Sequence, residues 1–316
     1  MSHMFAIETC NLEKHYRTGF WKAKRKDALL PLNLTVDKGE IFGYLGPNGA
    51  GKTTTLRLLM GLATPSGGSA KILGCALDDA RMKARLGFLP EQPYFYDHLT
   101  ALELLRYYAK LSSVPGKEIE KKAQRALARV GMSASAGVRL RKLSKGMLQR
   151  VGIAQAIVHE PELIILDEPQ SGLDPIGRRE VRDLMLELNA EGRTIFFSTH
   201  ILSDAESVCT RVGVLNQGRL LGTGIVGELI RQKTGQVEMV WRGEGLAERL
   251  TALGVRLIGA GGEVQRGGID EEKVPAALEV LRQGGGTLVS LTPVQATLED
   301  YFLEKVGAAA EAEVGL

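Results

Sequence analysis

Gly46-Pro47-Asn48-Gly49-Ala50-Gly51-Lys52-Thr53 follows the apolar run Ile41-Phe42-Gly43-Tyr44-Leu45 and leads into Thr54-Thr55-Leu56-Arg57-Leu58-Leu59. Strand, glycine-rich loop and helix, in that order, are the setting of a phosphate-binding loop. Glycine lets the main chain approach a triphosphate where a Cβ would clash. Successive amide N–H groups, such as those of Asn48, Gly49, Ala50 and Gly51, then form an anion nest. The helix that follows opens with unpaired N–H groups and the positive end of its dipole. Lys52 is expected to reach the β- and γ-phosphates, Thr53 to place its hydroxyl on Mg²⁺, and Thr54 to donate to a phosphate oxygen.

Downstream, Leu163-Ile164-Ile165-Leu166-Asp167-Glu168 pairs an apolar run with two acids. The run reads as a buried parallel strand. Two carboxylates at its end are costly to bury unless they serve a cation or a reaction. Ligands of α/β sheets sit at the carboxyl ends of strands. Asp167 is therefore expected to orient Mg²⁺ through water, and Glu168 to polarise the water that attacks a γ-phosphate. Thr194-Ile195-Phe196-Phe197-Ser198 is a second buried strand, and it ends at Thr199-His200, which places His200 near the same phosphate.

Residues 5–9 and 29–36 read as strands. Between them lie Tyr16, which can stack on adenine or simply pack, and a basic loop over residues 17–26, read as a solvated hairpin tip, with a membrane-surface or partner contact as the alternative. Residues 86–89 form another strand, ended by Pro90. From about Gln92 to His159 the pattern is mostly helical, with Leu102, Leu105, Tyr108 and Ala109 at helical spacing. Tyr94, Phe95 and Tyr96 at its entrance suit either a packed hinge or a partner-docking surface. Ser144 reads as the N-cap of a helix carrying Val151, Ile153, Ala154 and Ile157. Ser171-Gly172-Leu173-Asp174-Pro175 reads as a tight turn before another helix.

Composition shifts after Gly224. Residues 225–306 read as an accessory domain in which the elements from 236 to 291 follow the order βαββαβ, the ferredoxin-like one, with Val237, Met239 and Trp241 on one strand face. A last helix over residues 297–306 is capped by Thr297. Residues 307–316 carry few large apolar side chains and are expected to be disordered.

The 316 residues are 44% hydrophobic and 24% charged, ordinary for a globular protein. A net charge of +3 is too small to argue for nucleic acid. Cys10, Cys75 and Cys209 have no metal-like spacing and read as reduced cytosolic thiols. No apolar run is long enough to cross a bilayer, so a membrane function requires a partner.

With these residues placed, the chain resembles the ATP-binding-cassette (ABC) ATPases over about residues 5–224. Residues 46–53 match the Walker A loop, 163–168 the Walker B strand, 171–174 the D-loop, and His200 the switch histidine. Leu143-Ser144-Lys145-Gly146-Met147 resembles the family signature Leu-Ser-Gly-Gly-Gln, with Lys145 and Met147 departing from it. The resemblance implies a P-loop NTPase fold with an antiparallel β subdomain and a helical insert. It implies ATP and Mg²⁺ as ligands, and a head-to-tail dimer in which Ser144, Lys145, Gly146 and Asp174 of one copy complete the ATP site of the other. The family's lid glutamine falls on Glu91, with Gln92 beside it. The pattern is most like ATPase subunits of bacterial drug, lipid or sodium exporters, held at the inner face of the cell membrane by a separate permease. Small extensions in similar exporters suggest a dimer-stabilising or regulatory carboxy-terminal domain. An ATPase acting on nucleic acid or ribosomes is the alternative. Relatives of that kind carry a second cassette or long coiled coils, and this chain has neither a second Walker A loop nor sustained heptads.

Overall fold

The computed structural model describes residues 5–18, 24–231, 235–243, 245–258, 264–294 and 297–314. The chain divides into two compact units, one running to Ile225 and resuming at Lys305, the other Val226–Glu304.

The first unit opens with β1 (Ile7–Thr18), β2 (Lys24–Val36), β3 (Ile41–Leu45) and α1 (Lys52–Leu59). It continues through β4 (Gly67–Ile72), β5 (Cys75–Ala76), α2 (Ala80–Lys83) and β6 (Leu86–Leu89). Three helices of the insert follow: α3 (Ala101–Leu111), α4 (Gly116–Arg129) and α5 (Lys145–Ile157). Then come β7 (Leu163–Asp167), α6 (Pro175–Ala190), β8 (Thr194–Thr199), α7 (Leu202–Glu206), β9 (Arg211–Asn216) and β10 (Arg219–Ile225).

A six-stranded sheet of order β10-β9-β3-β8-β7-β6 forms the centre. The five strands from β9 to β6 run parallel, and β10 returns antiparallel. Every residue of β3, β7 and β8 is buried, as uninterrupted apolar runs require in a sheet covered on both faces. Phe42 and Phe196 stack at 5.6 Å on the adjacent strands β3 and β8, and Tyr44 lies 5.4 Å from the same Phe196 ring. A second, antiparallel sheet has the order β2-β1-β4-β5.

The β1–β2 pair is longer than the strands expected over residues 5–9 and 29–36. Its ladder continues through Tyr16↔Lys26 and Arg17↔Arg25. Charged side chains can point to solvent on alternate positions without interrupting the main-chain hydrogen bonds, so polarity alone does not end a strand. Phe20, Trp21 and Lys22 of the expected hairpin tip lie outside the described residues.

Within the insert, α3 begins in a capping box. The Thr100 hydroxyl accepts from the Glu103 N–H at 3.2 Å, and the Thr100 N–H donates to the Glu103 carboxylate at 2.8 Å. Thr100→Ala is expected to remove about 1 kcal/mol of stability, read as a lower urea midpoint with an unchanged slope.

The second unit holds α8 (Val226–Arg231), β11 (Gln236–Arg242), α9 (Leu246–Ala252), β12 (Arg256–Leu257), β13 (Val264–Asp270), α10 (Val274–Gln283) and β14 (Thr287–Pro293). Its sheet order β12-β13-β11-β14, antiparallel throughout, is the ferredoxin-like one. Val237, Met239 and Trp241 pack against Leu246, Leu250, Ala277 and Leu281, which explains their shared strand face.

α11 (Leu298–Val314) corrects the expectation of a disordered tail from residue 307. Its sequence there, Gly307-Ala308-Ala309-Ala310-Glu311-Ala312-Glu313, is poor in large apolar groups, but alanine and glutamate are strong helix formers. Among the described residues, no helix is long and apolar enough to cross a membrane.

Candidate functional site

β3, β8 and β7 are neighbours in the central sheet and end side by side. The glycine-rich loop leaves β3, Glu168 follows β7, and His200 follows β8, so three separate stretches of sequence converge at one sheet edge. A cleft of ≈ 810 Å³ opens there. Tyr16, Asn48, Gly49, Gly51, Lys52, Thr53, Thr54, Glu91, Glu168 and His200 line it, together with Ser171. Gln92 is exposed and is not among the lining residues. Ala50 is buried, with its N–H donating to Pro47 O at 3.2 Å.

Gly51 has φ +107°, and a Cβ there would lie 2.4 Å from Ala28 O. Only glycine lets the loop close under the first turn of α1. The Lys52 ammonium donates to Gly46 O at 2.7 Å and Pro47 O at 3.3 Å, and it stands 3.3 Å from Glu168 Oε1. Both side chains of this ion pair are under 10% exposed, at 6% and 9%. The other carboxylate oxygen, Oε2, lies 2.9 Å from His200 Nδ1.

Glu168 occupies the left-handed region, φ +50°, which costs an L-residue about 1–2 kcal/mol. The surroundings over-determine that conformation. Its N–H donates to Ser198 O at 3.1 Å and Ser198 Oγ at 3.2 Å. Its carbonyl accepts from the Ser171 N–H at 3.0 Å and from Gln149 Nε2 at 3.4 Å.

Asp167 is 1% exposed and accepts from the Ser198 hydroxyl at 2.5 Å. Burial pushes its carboxyl above the usual range, while hydrogen bonds from Ser198 and Thr53 pull it back. Among the described residues, no group of three or more His, Cys, Asp or Glu could hold a metal alone. The Thr53 hydroxyl and the Asp167 carboxylate are instead a sparse, all-oxygen donor pair. That pair fits Mg²⁺, which keeps waters and phosphate oxygens in its shell.

Ser144, Lys145, Gly146 and Asp174 lie elsewhere. They line a second cleft of ≈ 520 Å³, with Met147, Arg150, Gly172 and Leu173. The two clefts share no lining residue. Ser144 caps α5 by accepting from the Met147 N–H at 3.3 Å, and Asp174 caps α6 by accepting from the Gly177 N–H at 2.8 Å. Two contributors carry no local sequence signal: Ser198 beside Glu168, and Gln149, a polar residue inside a helix.

A family model for ABC transporters matches residues 29–171. An uncharacterised ABC transporter ATP-binding protein of Synechocystis sp. is 42% identical over 305 residues, 95% of this chain and 84% of that one. The chain belongs to the ABC transporter ATP-binding subunits. The bacitracin transport ATP-binding protein of Enterococcus faecalis is 34% identical to this cassette over 96% of the chain and 97% of its own length. A solved dimeric ATP-binding cassette in a post-hydrolysis state, bound to ADP and Pi, superposes with a TM-score of 0.65 at 27% identity, covering 70% of this chain and 98% of that one. The cassette binds ATP and is an ATPase. The arrangement around Glu168 suits that chemistry, with the Lys52 ammonium, a carboxylate beside it and a glycine-rich loop in one cleft.

Proposed function

We propose that this cassette drives an exporter, docked on a separate permease at the inner face of the membrane, and that two copies close head-to-tail on ATP. The observation that carries the reading is the separation of the two clefts. One holds the cation, the loop and the carboxylate. The other offers a capped helix start with Lys145 beside it, facing no phosphate site of its own chain. A second copy brings the two halves together. The dimeric cassette with ADP and Pi supports the pairing, and the bacitracin transport relative supports a role in transport.

In this reading Tyr16 stacks on adenine, and the loop from Asn48 to Thr54 binds the phosphates. Thr53 and Asp167 hold Mg²⁺, which neutralises phosphate charge when bound. Glu91 stands at the lid. Ser144, Lys145, Gly146 and Asp174 act on the second copy's nucleotide. Lys52 turns from Glu168 to the β- and γ-phosphates, which frees Glu168 Oε1. That oxygen orients a water for in-line attack on the γ-phosphorus, and the bond to the bridging oxygen of ADP breaks. His200 holds Oε2 and so fixes the carboxylate's direction.

Complementation tests the sandwich. Chains with Lys52→Ala and chains with Ser144→Arg should each be inactive, because every homodimer carries two broken sites. Mixed together they should regain hydrolysis, since one site of the mixed dimer joins an intact Lys52 cleft to an intact Ser144. Activity in either variant alone, or a mixture as dead as its parts, overturns the proposal.

A further inference from the structure

Gln149 is the fifth residue of α5 and is 3% exposed. An amide that deep in a helix interface has to meet polar partners. Its Nε2 donates to Glu168 O at 3.4 Å and to Pro169 O at 3.1 Å. Two carbonyl acceptors fix the amide's orientation, because only the nitrogen can donate. The residues gripped are the left-handed Glu168 and the proline after it, where the main chain leaves β7. The same helix begins at Ser144, about 7.5 Å along the axis from Gln149 at 1.5 Å per residue.

We infer that Gln149 is a positioning residue, tying the α5 end that meets the second copy's nucleotide to the main chain that aims Glu168 in its own cleft. This rests on the reading of Ser144 and Glu168 given above. A shift of α5 on dimer closure then reaches the carboxylate through one side chain, so each site senses whether the other is closed. Gln149 does not touch nucleotide or water. Its effect is on the direction of Glu168, and errors of that kind are felt in turnover before affinity.

The test is Gln149→Met, which keeps length and helix propensity but removes both hydrogen bonds. Expected are a fall in kcat of roughly 10- to 100-fold, an ATP Kd within about two-fold of the parent, and ATP-driven dimerisation preserved. Placed on Glu168→Gln, the substitution should leave the ATP-bound dimer as abundant as in Glu168→Gln alone, because the carboxylate it positions is already gone. If Gln149→Met folds poorly, Gln149→Asn, one methylene too short to reach both carbonyls, should show the same kcat loss. Wild-type kcat in these variants overturns the inference. So does joint loss of ATP binding, dimerisation and Tm, which marks a packing role alone. Wild-type hydrolysis by Glu168→Gln would instead remove the role given to Glu168, a separate failure.

Discussion

Glu168→Gln is expected to reduce ATP turnover by about 10²–10⁴-fold, the range for losing a positioned base, while ATP affinity changes little. The amide has nearly the carboxylate's shape. It can still meet His200 Nδ1, 2.9 Å from the present Oε2, and the main-chain bonds to Ser198, Ser171 and Gln149 do not involve the side chain. What it loses is the negative charge that, in the proposed mechanism, draws a proton from the attacking water. Binding through the glycine-rich loop, Lys52 and Thr53 does not need that charge, so the variant should gather as ATP-bound dimers, visible by light scattering. Steady-state phosphate release and equilibrium nucleotide titration separate the two quantities. Parental phosphate release from Glu168→Gln would mean that another group orients the water.

Legibility in the sequence followed the range of the interactions. The loop at residues 46–53 and the acids at 167–168 are local patterns, each complete within a few residues of an apolar strand, so both could be read directly. The buried strands β3, β7 and β8 announced themselves as unbroken apolar runs. The full β1–β2 hairpin did not, because its register is set by pairing across the ladder rather than by an apolar pattern. Glu91 and Gln92 are adjacent and similar in shape, and the fold separates them, with Glu91 on the cleft. Gln149 was hidden for another reason. It sits between Leu148 and Arg150 in a helix, where a single polar residue reads as solvent-facing. Its partners are carbonyls 19 and 20 residues away, and nothing in a local window reports them.

Lys52→Ala should act twice, once on the ligand and once on the free protein. ATP binding should weaken roughly 10- to 100-fold, equivalent to the about 1.5–3 kcal/mol of a hydrogen bond to a charged group. The second effect comes from the pair that Lys52 makes with Glu168 in the absence of ATP. Both side chains are nearly buried, at 6% and 9% exposure. Removing one partner of such a pair strands the other, at a cost of about 3–5 kcal/mol. Here the lower end is expected, since His200, whose side chain is 46% exposed, still meets Glu168 Oε2. Thermal melting without nucleotide should therefore show Lys52→Ala below the parent, and adding Glu168→Gln should raise it again by removing the stranded charge. Simple loss of lysine packing predicts no such recovery. Recovery would show that the ammonium holding the loop's carbonyls at rest also shields the carboxylate, so that ATP, by drawing Lys52 away, exposes Glu168 only once there is a phosphate to attack. A double variant no more stable than Lys52→Ala would remove that coupling and leave Lys52 a ligand-binding residue alone.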